Sequence, residues 1–495
     1  MMLREDAQAI YRAGEEAVAC VLLEMDTRIH ASERQVRELT MCIDAGEQRV
    51  RQLEEQVAKN SRNSSKPPSS DGLRKPRPKS LRQPGNRPTG GRPGHPGHTL
   101  RMVENPDHTK RHPVSRCTGC GHSLVDQAPD RIERRQVFDL PKPKLEVAEH
   151  QGEIKTCACG CVNRAAFPPG VAAPAQYGPR LKGAAVYLED YQLPPFDRPA
   201  EIMRDIFACE TFSGGTPADF SADCSLRLEP VDAIIRDPAA KSEVVGFDET
   251  GMRAIGSLHW LHTASTRRLT WYFAHKRRGR EAMDAANIPP NFRGRAVHDF
   301  LNAYLEYDCD HAFCNGHLLR ELIFLWEVQN QQWSAAMIGH LPAIKDAVDT
   351  ARTAGQTALP EPDLDRFRRH YERIVEAGHA QNPLTEAPAA PKRRGRRKQT
   401  KARNLLDRFR NYPDSILAFM YDFSVPFDNN LSERDSRMMK LRRKISGTFR
   451  NFNALVDFCR IRGHVSTARK NGVNALDALR RVFLDDPFIP TVNTS

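Results

Sequence analysis

An unbroken seven-residue apolar repeat near the N-terminus constrains this chain most. Leu22, Ile29, Val36, Ile43, Val50 and Val57 recur at that interval, and Met25, Leu39 and Leu53 fill most positions three residues further on. These are the a and d positions of a heptad, with Arg, Glu and Gln common between them. A seam so narrow and regular cannot wrap a globular core. The expectation is a coiled-coil helix over residues 1–62 that joins copies of the chain into a homo-oligomer. The alternative is a lone amphipathic helix packed on the body.

The repeat stops at NSSKPPSSDG, and residues 63–113 are dominated by Pro, Gly, Ser, Arg and His. Residues 74–101 carry basic side chains and no acid. Such a segment cannot bury a core, so a disordered or extended basic linker is expected, its charge suited to DNA phosphates. The whole chain points the same way. Its 495 residues carry a formal net charge of +12, which favours a polyanionic partner, and nucleic acid is the commonest. A chain of that length divides into about three or four modules. No apolar run reaches the roughly 18 residues of a membrane span. The start, MMLREDAQ, lacks the basic-then-apolar pattern of a signal peptide. A cytoplasmic, nucleoid-associated protein without a membrane partner is therefore expected.

In the cytoplasm the twelve cysteines are not a disulfide framework, and five of them cluster between Cys117 and Cys161. Cys117 and Cys120 form one C-x2-C pair, and Cys157 and Cys159 a C-x-C pair. Two thiolates on each of two turns can close a tetrahedral structural Zn²⁺ site, and a small module with little core needs such a staple. A zinc-binding module over 114–175 is expected from Cys117, Cys120, Cys157 and Cys159, with Cys161 and His122 as alternative fourth ligands.

Residues 176–240 read as helical, and AEIMRDIFACETFSGGTPADFSADC fits either a helix-turn-helix or a packing pair. An α/β pattern then begins. SEVVGFDETG is a short strand ending in Asp248. Two aromatic, Thr-rich strands follow, then a polar helix near 278–287, then RGRAVHDF, a strand ending in Asp299. A later strand parallel to the first would set Asp248 and Asp299 side by side, where two carboxylates repel and want a divalent metal. AYLEYD reads as a further strand and HAFCNGHLLRELIFLW as a long helix. A helical insertion spans about 326–423. Inside it, PKRRGRRKQTKAR brings Arg393, Arg394, Arg396 and Arg397 as DNA-contact candidates.

Residues 425–449, VPFDNNLSERDSRMMKLRRKISGTF, read as a helix capped by Asp428 or Asn429. Leu431, Met438, Leu441 and Ile445 form its apolar stripe. Glu433 points away from that stripe, about 200° around at roughly 100° per residue. Arg437, Lys440 and Lys444 follow Glu433 on its own face, a cationic ridge suited to a phosphate backbone. The residues after 450 read as one or two amphipathic basic helices.

Taken together, these motifs resemble the insertion sequence 66 family of bacterial transposases from the heptads to about residue 483. The matching text is NSSKPPSSD, the two cysteine pairs, FPPGVAAPAQYGPRL, FDET, HDFLNAY, CNGHLLREL, PFDNNLSERDSRMMKLRRKISGTFR and CRIRGHVSTARKNG. The resemblance implies a multidomain α/β chain with a ribonuclease-H-like DDE catalytic core, here 241–449 with the helical insertion, followed by a helical region over 450–495. Its catalytic carboxylates fall on Asp248, Asp299 and Glu433. These would hold Mg²⁺ or Mn²⁺ and cut DNA at terminal inverted repeats before strand transfer into target DNA. The family also brings small accessory proteins of the same element into question as partners. A catalytically inactive, zinc-containing DNA-binding regulator derived from such a transposase is the alternative.

Overall fold

The computed structural model describes residues 4–60, 62–64, 100–141, 143–195, 197–384 and 399–491. Most of the expected basic linker lies outside them, as do Arg393, Arg394, Arg396 and Arg397.

The heptads form one helix. After a short α1 (Arg4–Arg12), α2 (Glu15–Val57) runs 43 residues, roughly 65 Å at the usual rise. None of its residues is buried. Val36 is 58% and Ile43 61% exposed, so the seam is not laid on the body. Among the described residues, the far end of the helix is tied to the body. Glu55 accepts from Gln329 at 2.8 Å and pairs with Lys401, and the Lys59 ammonium lies 5.8 Å from the Phe324 ring centre. Between the linker and the body, β1 (Ile154–Thr156) and β2 (Val162–Arg164) make a small antiparallel hairpin.

The body begins with α3 (Pro179–Val186), which runs into a π-helical turn at Tyr187–Gln192, then α4 (Arg198–Phe207) and α5 (Thr216–Ala240). The sheet follows, from β3 (Val244–Ala254), β4 (Ser257–Ser265), β5 (Thr270–His275), β6 (Arg295–His298) and β7 (Asp310–Phe313), with α6 (Arg280–Ala286) between β5 and β6. Helices continue with α7 (Asn315–Gln329), α8 (Gln332–Thr353), α9 (Glu361–Gln381), α10 (Lys401–Asn411), α11 (Pro413–Ile416) and α12 (Ala418–Tyr421). Three more close the chain: α13 (Asn430–Ile445), α14 (Phe452–Lys470) and α15 (Ala475–Val482).

The five-stranded sheet has the order β5-β4-β3-β6-β7. β3, β4 and β5 are an antiparallel meander, while β6 and β7 run parallel to β3. The β3–β4 connection is a tight turn at Ile255 and Gly256, both at positive φ. That turn escapes a sequence reading because a β-branched Ile is a poor guide to left-handed backbone. β3 therefore does not end at Asp248 but continues to Ala254. Its pairing with β6 covers only Val244 to Gly246, so the two strands part just before Asp248. AYLEYD is not a strand either. Asn302–Glu306 is a 3₁₀ turn, and the strand is β7, seated on Ala312 and Phe313.

One core cluster joins Phe247 and Trp271 of the sheet to Leu228, Val231 and Ile235 of α5, Ile461 and Val465 of α14 and Leu479 of α15. α5 is thus a packing helix, and α14 is buried on several sides rather than being an amphipathic surface helix. The helices from α7 to α12 share a separate core around Leu322, Met337, Leu341, Tyr371, Leu406 and Phe409.

The contact that positions the site is α13 on β3, and it differs from the expected one. The buried residues of α13 are Ser432, Ser436 and Met439. Leu441 and Ile445 stay exposed, and Leu431 and Met438 are only half-buried. Successive strand residues face opposite sides, so Gly246 and Asp248 share the α13 face while Phe247 and Glu249 face away. A Cβ built on Gly246 would lie 2.2 Å from Ser432 Oγ and 2.5 Å from Asn429 Oδ1. Small residues on both elements let backbone approach backbone, so the stripe of larger apolar residues is not what meets the strand. Asn429 is the N-cap residue, but its side chain does not cap: its amide Nδ2 donates to Phe247 O at 2.6 Å. Asp428 Oδ1 accepts from Asn430 N instead, at 3.1 Å. Beyond the helix, Phe449 N donates to Arg253 O and Ile255 N to Phe449 O, both at 3.1 Å, so the exit from α13 is stitched to β3 as well.

Gly246→Ala should therefore overpack this contact and destabilise the protein by about 1–3 kcal/mol. Urea unfolding should show a lower midpoint with an unchanged slope. An unchanged midpoint would mean that α13 is free to lift away.

A candidate carboxylate centre

Three elements carry three carboxylates, close enough for Asp248 to feel the charge of the other two. Asp248 comes from β3 beyond the point where β6 leaves it, Asp299 directly follows β6, and Glu433 sits in the first turn of α13. The Asp248 carboxyl is pushed up to about 6, first by burial and then by the negative charges of Asp299 and Glu433, against a hydrogen bond from Ser436 and the charge of Lys440. One group that feels both other acids at once is the electrostatic mark of a shared site. Ser436 is itself held by Thr263, with their hydroxyls 2.9 Å apart.

Each acid has its own surroundings. Asp299 is 30% exposed and lies 3.8 Å from Arg278 Nη2. Phe300, next in the chain, takes φ 72°, which turns the backbone sharply just after the acid. Glu433 is 16% exposed and is reached from α7: His317 Nδ1 lies 3.5 Å from Oε1, Arg320 Nη2 3.9 Å from Oε2, and Cys314 Sγ 3.8 Å from Oε1. Burial pushes the Cys314 thiol up to about 12 and holds the His317 imidazole below its ordinary range. On the opposite face of β3, Glu249 has a side chain 1% exposed, accepts from Tyr304 and faces Arg278 at 3.4 Å. Burial raises it to about 7, with Asp299 and Asp248 adding repulsion. Asp435, two residues past Glu433, belongs elsewhere. It pairs with Lys470 at 2.8 Å and accepts from Ser265 and Thr270.

Three carboxylates supply hard oxygen donors. Asp248 has no Arg or Lys within ion-pair distance among the described residues, so the donor set fits a Mg²⁺-class cation. Arg437, Lys440 and Lys444 are all exposed along α13, and only Lys440 offsets the charge of Asp248. Sequence reasoning missed Cys314, His317, Arg320 and Arg278. Cys, His and Arg recur at three-residue steps in CNGHLLREL, and that spacing at the start of a helix was the available signal.

Each cysteine pair sits on a formed turn. Gly121 N donates to Cys117 O at 3.0 Å and Gly160 N to Cys157 O at 2.8 Å, with both glycines at positive φ. Backbone N–H groups hold the thiols of Cys117 and Cys157 below their usual range. Among the described residues the one group of three or more metal-type donors gathered together is Cys314, His317 and Glu433. Cys117, Cys120, Cys157 and Cys159, like Cys161 and His122, are not part of that group.

The raised Asp248 sets a pH dependence. Its folded value lies above the unfolded one, so its contribution to stability is full below about pH 4 and is lost as pH rises through 6. In chelator-treated protein, wild type should lose stability relative to Asp248→Asn between pH 4.5 and 7.5, by an amount on the order of 2 kcal/mol. Urea unfolding of both proteins across that range measures it. A constant difference would mean that Asp248 is neither buried nor repelled enough to be raised.

A family model described as "Transposase IS66 family" matches residues 174–456, and a family of unknown function matches residues 23–101. No curated protein matches the chain. The first match takes in β3, β6 and α13 together with the helices between them. It covers more than half of the chain, which therefore belongs to the IS66 family of transposases.

Proposed function

We propose that this transposase cuts DNA at the ends of its element and joins them to target DNA, using Asp248, Asp299 and Glu433 as a DDE centre. The observation that supports this reading is electrostatic: Asp248 on β3 is repelled both by Asp299, which follows β6, and by Glu433 on α13. The family implies DNA binding and divalent-metal use. The sheet order, with the first strand parallel to the fourth and a helical insertion before the third acid, supports a ribonuclease-H-like core. When bound, Mg²⁺ or Mn²⁺ ions supply Lewis-acid charge for activating water or a DNA 3′-hydroxyl and for stabilising the leaving oxygen. The three carboxylates hold that charge in place. Gly246, Ser432 and Ser436 fix the spacing between β3 and α13, and Ser436 orients the Asp248 carboxyl. Lys440, with Arg437 and Lys444 along the same exposed helix, takes the phosphate backbone beside the centre. Arg393, Arg394, Arg396 and Arg397 would add contacts from the insertion.

The remaining segments serve assembly and anchoring. Residues 1–62 are proposed as the coiled coil that joins copies, residues 63–113 as a basic linker and residues 114–175 as a zinc-binding module. Substrates are the terminal inverted repeats and target DNA. No helix among the described residues is long and apolar enough to cross a membrane.

Asp248→Asn, Asp299→Asn and Glu433→Gln should each lower Mg²⁺-supported nicking of terminal-repeat DNA by more than about a hundredfold, the scale of losing one strong electrostatic stabiliser. Circular dichroism and DNA binding should be retained, since phosphate contacts come from Lys and Arg. A folded Glu433→Gln protein that nicks at the wild-type rate would overturn the assignment. DNA binding without any nicking by wild type would favour the inactive-regulator alternative.

The exposed seam of α2 generates a second test. Val36→Asp and Ile43→Asp together should convert the oligomer to monomers by light scattering, because charges at two a positions cannot share a dry seam. An unchanged stoichiometry would place the interface elsewhere.

A further inference from the structure

Cys314 occupies the N-cap position of α7, and His317 lies three residues on, in its first turn. Glu433 arrives from α13, a different element. The donor atoms of all three lie within 4.8 Å of one another. A tetrahedral ion with Zn–S near 2.3 Å and Zn–N or Zn–O near 2.0 Å spaces its donors roughly 3.3–3.6 Å apart. The observed separations are 3.8 Å from Cys314 Sγ to Glu433 Oε1 and 3.5 Å from His317 Nδ1 to the same oxygen. His317 Nδ1 is buried and makes no hydrogen bond. The site is also held in shape from behind. Asn429 N points at Cys314 Sγ at 3.2 Å, Asn429 Nδ2 is tied to Phe247 O, and Asn315 Nδ2 donates to Ile416 O at 3.0 Å.

We propose that Cys314, His317 and Glu433 form a second metal site, selective for a borderline-soft transition ion of the Zn²⁺ class, which shares Glu433 with the carboxylate centre. Thiolate and imidazole are poor ligands for Mg²⁺ and good ones for Zn²⁺ or Co²⁺. Three protein ligands leave the fourth tetrahedral position open to water or to a DNA oxygen. Since one carboxylate serves both centres, an ion here draws Glu433 toward α7 and competes for it with the cation held by Asp248 and Asp299. The inference rests on the proposed role of Glu433 only for that consequence; the binding itself does not need it.

The test uses the full chain, Co²⁺ as the probe and no DNA. Because the cysteines near 117 and 157 can also take Co²⁺, the background is a variant with Cys117, Cys120, Cys157, Cys159 and Cys161 all replaced by Ser. On that background Co²⁺ should bind at about one ion per chain with a thiolate charge-transfer band and tetrahedral d–d bands. Adding Cys314→Ser should abolish the charge-transfer band. Adding His317→Ala should shift the d–d bands and weaken binding, and a large excess of Mg²⁺ should leave the bands in place. Circular dichroism checks that each variant is folded, and His317→Ala tests the site independently should Cys314→Ser not fold. Bands that are absent, or that persist unchanged in folded Cys314→Ser and His317→Ala proteins, would overturn the site. Failure of the DDE reading would show differently, as nicking by Glu433→Gln while the bands of the Glu433-bearing background still respond to Cys314→Ser and His317→Ala.

Discussion

The arrangement of the site hangs on a contact between two small surfaces, Gly246 on β3 and Ser432 on α13. Helix and strand normally keep a side chain's width between them. Here a single added Cβ would fall 2.2 Å from a serine oxygen. That closeness brings Ser436 onto Asp248 and carries Glu433 to the same end of the sheet as Asp299. It also explains why Asn429 spends its side chain on Phe247 O rather than on its own helix. The cross-link holds the first turn of α13 against the strand, and the bridge at Phe449 holds the exit of that helix against the same strand. A helix pinned near both ends to one strand has little freedom to change the spacing of the acids.

Electrostatics works against this arrangement. Asp248 and Glu249 are neighbours in sequence, buried on opposite faces of β3, and both are raised by burial and by Asp299. Arg278 answers part of that charge, reaching both Glu249 and Asp299 while its guanidinium lies 5.0 Å from the Trp260 ring centre. Among the described residues Asp248 has no such ion pair; the Ser436 hydroxyl and the charge of Lys440 are what ease it. A fold that neutralises Glu249 and leaves Asp248 repelled has put its strain on the group a cation would relieve. Asp435 shows the contrast. An acid on the same helix, it is satisfied by Lys470 and two hydroxyls and belongs to packing.

Much of this was legible in the sequence, and the lapses share a cause. The long heptad helix, the parallel placement of the strands before Asp248 and Asp299, and the helices between Asp299 and Glu433 follow from periodicity and spacing, which local chemistry dictates. The packing face of α13 did not follow, because the stripe of Leu431, Met438, Leu441 and Ile445 is a guide only where large side chains make the contact. At Gly246 the contact is made by what is missing, and a run of Ser and Gly carries no hydrophobic signal. The Ile255 turn was hidden for a related reason: tertiary pairing of β3 with β4 imposes a left-handed backbone that Ile would not choose alone. His317 and Cys314 gain their meaning from Glu433, more than a hundred residues away in sequence, so their three-residue spacing alone could not say what they meet.

The far end of α13 extends the argument to the helices that precede the sheet. Arg442 lies 3.8 Å from both Glu189 and Asp190, two buried acids on the π-helical turn, and its guanidinium lies 4.2 Å from the Phe449 ring centre. Burial pushes Glu189 up to about 7, with Asp190 adding to it, so this is an expensive place to bury charge. Asp190 is also held by Ser221 on α5, and Ser446 donates to Leu193 O at 3.0 Å. Through these bonds the region of 176–240 grips the same helix that bears Glu433. π-turns cost regular hydrogen bonding and tend to persist where they serve a site. Here the turn sets two acids against one arginine at the C-terminal end of α13, where the helix dipole itself favours the cation. The helices ahead of the sheet therefore do not merely cover it. They fix the axial position of α13, and with it the height at which Glu433 meets Asp248 and Asp299.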